Sequence, residues 1–181
     1  LLGLINDVLD ISKIESGKMV LAKEPYTIPL VIQDVSSVII PLFLAKSQDY
    51  QIHAVNLKHE FVIGDQVRLK QVLLNLLSNA NKYTPEGGKI DFYIEELEGG
   101  SDTSGYFRFT VKDNGIGIAE EKIDKIFDPF SREVNSTVNK VEGTGLGLTI
   151  VKNIVEATGG TINVVSKKGE GSVFTIKVPL T

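Results

Sequence analysis

Helical periodicity marks five segments of the chain. Apolar residues recur three and four positions apart through the first nineteen residues, with Ser16-Gly17-Lys18 as the expected exit. Pro29 opens a second, long apolar segment with a candidate kink at Pro41, and Asp65 is a good N-cap for a third helix. The predicted helices cover residues 1–19, 29–46, 66–82, 120–127 and 146–158.

Alternation of apolar and polar positions predicts short strands between these helices. The predicted strands are residues 25–28, 51–55, 61–63, 89–96, 106–111, 161–165 and 172–178. A glycine- and serine-rich loop at residues 99–105 joins two of them, which predicts a hairpin. Residues 131–142 are polar and weakly periodic, as is typical of a loop. From residue 25 onward, the pattern therefore predicts a compact α/β domain.

The first helix carries an apolar stripe that must be buried against something. That stripe either lies on the rest of this chain or, as we favour, belongs to a helical bundle or coiled coil outside it. The only methionine is Met19 and the sequence begins with leucine. We therefore expect the chain to be a piece of a longer protein.

Composition narrows the classes of function. The 181 residues include no cysteine, which excludes disulfides, thiol nucleophiles and thiolate metal sites. The 19 Lys and Arg residues are scattered among 23 Asp and Glu, and this net charge of −4 argues against a nucleic-acid-binding protein. We find no apolar run that approaches the roughly 20 residues of a membrane-spanning helix, and we expect no membrane insertion.

The predicted third helix bears a polar stripe beside its apolar face. Asn75, Asn79 and Asn81 lie close together there, although asparagine costs a helix roughly 0.5 kcal/mol relative to alanine. One interpretation is a solvated flank, which would more often carry Glu, Lys, Gln or Arg. The other is a site in which amides at positions i and i+4, followed by Lys82, hold a hydrated divalent cation beside phosphates.

Two glycine-rich segments are candidates for ligand contact. Residues 113–118 (DNGIGI) follow a strand directly, and they form either a plain turn or a backbone wall close to a ligand, with Asp113 accepting from an amine. Residues 143–148 (GTGLGL) open a helix, where backbone N–H groups and the helix dipole favour an anion. They match neither the dinucleotide fingerprint nor a P-loop. The second segment therefore predicts a phosphate cradle.

A further candidate segment lies between these two. In residues 126–130 (IFDPF) the aromatic side chains are most simply core anchors for the loop that follows. Arg132, in that loop, is either a solvated charge or a guanidinium that reaches phosphates when the loop closes.

Together, in this order, the motifs at residues 71–84 (QVLLNLLSNANKYT), 113–118, 126–130 and 143–148 resemble the N, G1, F and G2 boxes of sensor histidine kinases. The resemblance implies that residues 25–181 are the catalytic and ATP-binding domain. Its α+β fold is the Bergerat fold of gyrase, Hsp90 and MutL ATPases, a two-layer α/β sandwich with helices on one face of a single mixed sheet, here preceded by an N-terminal helix. Residues 1–19 are implied to be the second helix and connector of the dimerisation and phosphoacceptor domain.

The resemblance also implies roles for individual residues, with ATP and Mg²⁺ as cofactors. Asn79 is the implied metal ligand, Asp113 the acceptor for the adenine amino group, and Tyr83 a residue that packs on the nucleotide. The implied catalytic groups, at the triphosphate, are Asn75, Lys82 and Arg132. The implied nucleotide-binding residues are Asn75, Asn79, Lys82, Tyr83, Asp113, Gly115, Gly117, Ile118, Phe127, Arg132, Thr144, Gly145, Leu146, Gly147 and Leu148.

The implied function is transfer of the γ-phosphate of Mg-ATP to a protein histidine, for relay to the receiver domain of a response regulator. The full-length kinase is expected to form a homodimer through its helical domain. The catalytic domain is expected to lie in the cytoplasm. ATP-hydrolysing relatives carry a glutamate base where Asn75 stands, which disfavours a gyrase-like or Hsp90-like ATPase; a non-catalytic nucleotide-binding scaffold is the other alternative. His53 and His59 lie in or beside predicted strands, so we expect the phosphoacceptor, which needs an exposed helical imidazole, to lie outside this chain.

Overall fold

The computed structural model of the chain describes residues 2–101, 104–131 and 143–181. In chain order its elements are α1 (Leu2–Glu15), β1 (Glu24–Thr27), α2 (Ile28–Ala45), β2 (Asp49–Val55), β3 (Phe61–Gly64), α3 (Gln66–Tyr83), β4 (Lys89–Ser101), β5 (Ser104–Asp113), α4 (Glu120–Ile123), α5 (Gly147–Ala157), β6 (Thr161–Lys167) and β7 (Gly171–Leu180). Every predicted helix and strand is confirmed as an element, and the differences concern where some of them end.

Five strands form one mixed sheet in the order β2-β4-β5-β7-β6. Strand β2 runs parallel to β4, and the chain returns between them through α3, whereas the other neighbouring strands are antiparallel. Strands β1 and β3 form a separate two-stranded antiparallel sheet. The single large mixed sheet confirms the predicted fold class.

The hairpin formed by β4 and β5 is longer than the sequence pattern predicts. Residues 99–105 are predicted as a loop, but β4 continues to Ser101 and β5 begins at Ser104. The strand register shifts between Leu97 and Ser101, as it does at a β-bulge. The loop prediction is wrong at its ends because a bulge lets paired strands continue through a segment rich in glycine.

Helices α2, α3 and α5 cover one face of the large sheet, and the core lies between the two layers. Alternate residues of the central strands point into this core, among them Phe92, Phe109 and Ile176, which are fully buried. Intervening strand residues such as Arg108 and Lys112 are exposed on the other face. This is the two-layer arrangement that the resemblance implies.

Helix α2 is unusually apolar. Thr27 caps it by accepting a hydrogen bond from the Leu30 N–H at 3.4 Å. By length and composition alone, α2 is able to cross a membrane, so the expectation that no apolar segment approaches that length is wrong. In the fold, Val31, Val35 and Ile39 bury one side of the helix in the core, which gives its apolar composition a packing explanation.

Helix α3 is capped at its N-terminus by Asp65, as predicted. One carboxylate oxygen accepts from the Arg68 N–H at 3.0 Å, and the other accepts from the Ala22 N–H at 2.9 Å. Asp65 therefore stabilises the start of the helix and also holds the connector that leads from α1 into the domain. The side chains that α3 buries against the sheet are Leu69, Val72, Leu73, Leu76, Leu77 and Ala80.

Helix α1 contacts the domain through only part of its apolar stripe. Ile11 and Ile14 pack against the core, and Asp10 Oδ1 pairs with Arg68 Nη1 at 3.1 Å. The large apolar side chains that α1 leaves exposed are Leu2, Leu4, Ile5, Val8 and Leu9. The stripe therefore lies on this chain in part, and its assignment to a helical bundle stays a prediction.

Helix α4 is shorter than predicted. It ends at Ile123, and turns follow where the sequence pattern extends the helix to residue 127. The N–H groups of Lys125 and Asp128 donate to carbonyls three residues back, the spacing of 3₁₀ turns. These tighter turns take the place of the last turn of the predicted α-helix.

We expect Asp65→Ala to lower the free energy of unfolding by about 1–2 kcal/mol, because α3 loses its N-cap and the connector loses a partner. Asp65→Asn is the matched control, since its amide oxygen still accepts one of the two hydrogen bonds and the loss should be smaller. Urea unfolding followed by circular dichroism measures both variants. An alanine variant as stable as the wild type would contradict the assigned cap.

Candidate functional site

Segments that are far apart in the sequence meet at the C-terminal half of α3. The Ile116 N–H donates to the Tyr83 carbonyl at 3.0 Å, which joins the loop after β5 to the end of α3. On the other side, Asn75 Nδ2 donates to the Gly147 carbonyl at 3.4 Å, which joins α3 to the start of α5. These two contacts therefore join three of the four motifs that the sequence singles out.

The asparagines of α3 divide into two groups. Asn81 has a structural role, because its Nδ2 donates to the Leu42 carbonyl at 3.1 Å and to Gln48 Oε1 at 2.8 Å. Asn79 is half-buried and makes no side-chain hydrogen bond within the part of the chain that the structure describes. Its amide oxygen is therefore available as the kind of hard ligand that Mg²⁺ prefers.

Lys82 extends the polar stripe of α3 toward the glycine-rich segment before α5. Its side chain is exposed, and Nζ lies 3.3 Å from the position that a Cβ at Gly143 would occupy. An ammonium at this place would neutralise the charge of an anion bound by that segment. Tyr83, the next residue, is half-buried and joins the site through its carbonyl, and contact of its ring with a nucleotide stays a prediction.

Asp113 ends β5 and is the buried carboxylate of the site, with 8% of its surface exposed. Its Oδ1 accepts a hydrogen bond from the Gly115 N–H at 2.9 Å. Burial raises the pKa of this carboxyl above its ordinary value, although the N–H groups of Gly115 and Ser172 donate to it and oppose the rise. A carboxylate has more acceptor positions than these two donors fill. Asp113 therefore suits a ligand that brings its own donor, such as an exocyclic amine.

A second polar group is buried on the turn that follows α3. Thr84 is completely buried, and its Oγ1 has no hydrogen-bond partner among the described residues. A Cβ at Gly88 would lie 2.2 Å from Thr84 Cγ2, so the turn closes tightly over this side chain. Buried hydroxyls are nearly always paired. Thr84, which the sequence patterns do not single out, is therefore a buried hydroxyl beside the site that the described residues leave unpaired.

Close backbone contacts explain the glycines of the loop after β5. A Cβ at Gly115 would lie 2.3 Å from the Tyr83 carbonyl oxygen. At Gly117, where φ is +65°, a Cβ would lie 2.0 Å from the Lys167 carbonyl oxygen. Both positions require glycine for the loop to fit. The packing interpretation of these glycines is thus supported, and their contact with a ligand stays a prediction.

The hairpin of β6 and β7 supports this loop with residues that the sequence patterns did not reveal. Ser166 Oγ accepts from the Ile118 N–H at 2.8 Å and lies 2.7 Å from Ser172 Oγ. A Cβ at Gly171 would lie 2.1 Å from the Asp113 carbonyl oxygen. These contacts depend on the pairing of β5 with β7, which is non-local and has no signature in the spacing of residues.

Helix α5 begins at Gly147 without a side-chain cap. The N–H groups of its first turn have no acceptor inside the helix, and with the helix dipole they favour an anion. Thr144 Oγ1 accepts from the Leu146 N–H and donates to Asp7 Oδ2, both at 3.2 Å. Leu146 is itself fully buried, and the carbonyl of Leu146 accepts from the Ile150 N–H at 3.0 Å. Leu148 packs partly against the core.

Residues 126–130 hold the start of α5 in place. Phe127 packs against the core, and its carbonyl accepts from the Thr149 hydroxyl at 2.8 Å. The Phe130 N–H donates to the Gly145 carbonyl at 3.0 Å, but 66% of Phe130 is exposed. The prediction of a core anchor is therefore confirmed for Phe127 and wrong for Phe130, whose contact is made by its backbone. A role of the Phe127 ring in nucleotide binding stays a prediction.

The residues present fit a magnesium nucleotide. Asp113 supplies a buried acceptor, Asn79 an amide oxygen, Lys82 a cation, and the first turn of α5 a set of N–H donors. The described residues contain no group of three or more His, Asp or Glu side chains that could hold a metal alone. A metal here would therefore be held largely by the phosphates of its ligand. Arg132 and most of the predicted loop at residues 131–142 lie outside the described residues.

Comparison with known proteins places these features in a family. The family model described as "Histidine kinase-, DNA gyrase B-, and HSP90-like ATPase" matches residues 64–181. The sensor histidine kinase GacS of Pseudomonas protegens is 40% identical, and the match covers 99% of this chain and 19% of that protein. The autoinducer 2 sensor kinase/phosphatase LuxQ of Vibrio parahaemolyticus is 36% identical, with 99% and 21% covered. The chain spans about a fifth of the length of these curated relatives.

Solved structures of histidine kinases share the fold of this chain. Full-length ShkA in complex with AMPPNP superimposes with a TM-score of 0.82 at 30% identity, over 99% of this chain and 36% of that one. The catalytic domain of the histidine kinase ThkA gives a TM-score of 0.72 at 30% identity, over 87% of this chain and 95% of that one. ThkA in complex with the response regulator protein TrrA gives 0.73 at 26% identity, over 99% and 48%.

We expect Asp113→Asn to make the protein more stable at neutral pH. Because folding raises the pKa of Asp113, this carboxyl contributes less to stability as the pH rises through that pKa and the buried group must ionise. The asparagine variant carries no such charge, so its advantage in the free energy of unfolding should grow as the pH rises above the ordinary aspartate pKa of about 4. Urea unfolding at a series of pH values measures it.

Asp91→Asn is the matched control, because Asp91 is a second buried aspartate with the opposite shift. Burial opposes ionisation of Asp91, but a hydrogen bond from His53 and the charge of Lys89 outweigh it and lower the pKa. The ionised Asp91 carboxylate therefore contributes stability above its ordinary pKa, and this contribution is lost as the pH falls. Asp91→Asn should accordingly be less stable than the wild type at neutral pH. For each variant, the difference in the free energy of unfolding from the wild type is plotted against pH. Slopes of the same sign for the two variants would contradict the raised pKa of Asp113.

Proposed function

This chain belongs to the family of histidine kinase-, DNA gyrase B- and HSP90-like ATPases, as the ATP-binding catalytic domain of a sensor histidine kinase, and from this premise we propose how its residues act. It binds Mg-ATP and donates the γ-phosphate to a histidine side chain. The observation that carries the proposal is the meeting of the α3 amides, the buried Asp113 and the uncapped start of α5 around one site.

The charges at the two ends of the site orient the nucleotide. Asp113 accepts a hydrogen bond from the adenine amino group, beside the backbone of Gly115 and Gly117. The triphosphate lies toward the start of α5, where residues 144–148 donate their N–H groups. Lys82 supports this orientation, because its ammonium lies close to Gly143 at the entry to that segment.

Catalysis in this arrangement consists of positioning and charge neutralisation. Mg²⁺, when bound, draws charge from the phosphates, and Asn79 is the residue that would hold it. Lys82 and the α5 dipole stabilise the negative charge that remains on the transferring group, and Asn75 sits beside the triphosphate. Arg132 completes the proposed catalytic set by reaching the terminal phosphate.

Asn75 supports a kinase over the two alternatives. An amide is not a base, so it cannot activate water for hydrolysis in the way a glutamate does. Asn75 Nδ2 instead donates to the Gly147 carbonyl, which fixes the amide at the junction of α3 and α5. The Asn79 amide favours nucleotide chemistry over a purely structural scaffold, since it is half-buried and makes no side-chain hydrogen bond among the described residues.

The phosphoacceptor is proposed to lie on another helix, because both histidines of this chain are held on or beside the sheet by carboxylates. His53 Nε2 lies 2.8 Å from Asp91 Oδ1, and His59 Nδ1 lies 2.5 Å from Glu96 Oε1. Neither is an exposed helical imidazole. We assign residues 1–19, which comprise α1 and the first part of the connector, to a dimerisation and phosphoacceptor domain, of which α1 is the second helix. That domain forms the homodimer, and residues 25–181 are the catalytic domain.

The downstream partner is proposed to be the receiver domain of a response regulator. The structure of ThkA with the response regulator protein TrrA supports this assignment by similarity. A domain that consumes ATP for a receiver acts where both are present, so we place residues 25–181 in the cytoplasm, whether or not the whole protein is anchored in a membrane.

We expect titration calorimetry to detect binding of Mg-ATP by the chain. Asp113→Asn should weaken it by roughly 1.5–3 kcal/mol, tenfold or more, because a charge-assisted hydrogen bond to adenine is lost. Asp91→Asn, on the neighbouring strand, should bind as tightly as the wild type. Equal dissociation constants for the wild type and Asp113→Asn would refute the adenine contact, and no heat of binding in any variant would refute the function.

We expect labelled ATP to leave the chain itself unlabelled and to label a separately supplied helical domain that carries an acceptor histidine. Asn79→Ala should slow this transfer by roughly a hundredfold, since the metal loses its protein ligand. Asn81→Ala is the matched control on the same helix, because its amide only bonds within the fold. Acid-labile label on His53 or His59, or equal rates for the two variants, would contradict the proposal.

A further inference from the structure

A cavity of about 390 Å³ lies at the end of α3 that is remote from the nucleotide site. The first turns of α3 line it through Leu69 and Val72, whereas Asn79 and Lys82 lie at the other end of the helix. The C-terminal end of α5 lines it through Ile154, and the strand β7 through Ile176. A space of this volume is the size of a small-molecule site.

Several different elements form the walls of this cavity. Leu21 and Ala22 of the connector contribute to it, as do Ile63 of β3 and Leu180 of β7. Most of the lining side chains are aliphatic, so the space favours an apolar molecule over ordered water. A molecule in it would contact the connector, α3 and α5 at once.

One polar group in the lining has no partner. Tyr26 is 6% exposed, and its hydroxyl makes no hydrogen bond within the described residues. Burial, with a smaller effect from the charge of Asp65, raises the pKa of Tyr26 to about 12, so the hydroxyl keeps its proton and remains a donor. The position of a Cβ at Gly64, another lining residue, is 3.4 Å from this hydroxyl.

The charged residues of the lining are already engaged. Asp65 accepts from the N–H groups of Ala22 and Arg68, and the Arg68 guanidinium pairs with Asp10. Lys23 is exposed, so its charge stays in water. The unpaired polar group among the lining residues is therefore a neutral hydroxyl, which favours a neutral ligand with an acceptor atom.

We propose that this cavity is a second ligand site, separate from the nucleotide site, for a neutral and mainly apolar small molecule with one hydrogen-bond acceptor for the Tyr26 hydroxyl. The proposal does not depend on kinase activity. It rests on the volume, the aliphatic walls and the unpaired buried hydroxyl.

Benzophenone and diphenylmethane form a matched pair of probes, because they have similar size and differ by one carbonyl oxygen. Titrated into the full chain with methyl-labelled Ile, Leu and Val, benzophenone should shift the resonances of Leu69, Val72 and Ile176. Tyr26→Phe should weaken benzophenone binding about fivefold, the effect of one hydrogen bond, and leave diphenylmethane binding unchanged.

Two further variants make the test specific. Tyr50 is the matched control, since its hydroxyl is also buried but lies beside Ser36 and does not line the cavity, so Tyr50→Phe should bind both probes as the wild type does. Gly64→Ala adds a methyl group 3.1 Å from Leu180 Cδ2, and it should weaken both probes severalfold. Cavity methyl groups that do not respond to benzophenone up to its solubility limit would overturn the proposal, as would equal effects of Tyr26→Phe on the two probes.

Discussion

The orientation of α3 about its own axis is the constraint on which the nucleotide site depends. One face of this helix is buried, with Leu73, Leu76 and Leu77 at most 1% exposed. Burial stabilises each such side chain by about 1.5–3 kcal/mol. Rotating the helix would therefore cost an amount comparable with the roughly 5–15 kcal/mol stability of a whole domain. Because the amides of Asn75 and Asn79 border this face, core packing fixes where they point.

The loop after β5 obeys a different constraint, which is contact between backbones. Gly115 lies against the end of α3, Gly117 against the end of β6, and Gly171 of β7 against Asp113. These contacts leave Asp113 buried beside them, with its ionised form disfavoured by the loss of water. The same burial strengthens a hydrogen bond from a ligand to this carboxylate. The burial that makes ionised Asp113 unfavourable for folding therefore also favours a ligand that donates a hydrogen bond to it.

Sequence reasoning located the elements because helical and alternating periodicity follow from burial of one face. It misplaced the end of α4, where tighter turns replace the last helical turn, and the loop at residues 99–105, where the strands stay paired across a shift in register. Within the site, it grouped Asn79 with Asn81, since spacing along a helix does not show that α2 lies beside Asn81. Thr84, Ser166 and Tyr26 were missed for the same reason: their importance arises from partners that are distant in the sequence or lacking.

The two ends of α3 have different neighbours. Near its N-terminus the helix is tied to the connector and to α1 through Asp65 and Arg68. At its other end it carries the amide stripe of the nucleotide site. Helix α1 is therefore tied to both of the elements that carry the site, to α3 through the pairing of Asp10 with Arg68 and to the start of α5 through the hydrogen bond between Asp7 and Thr144.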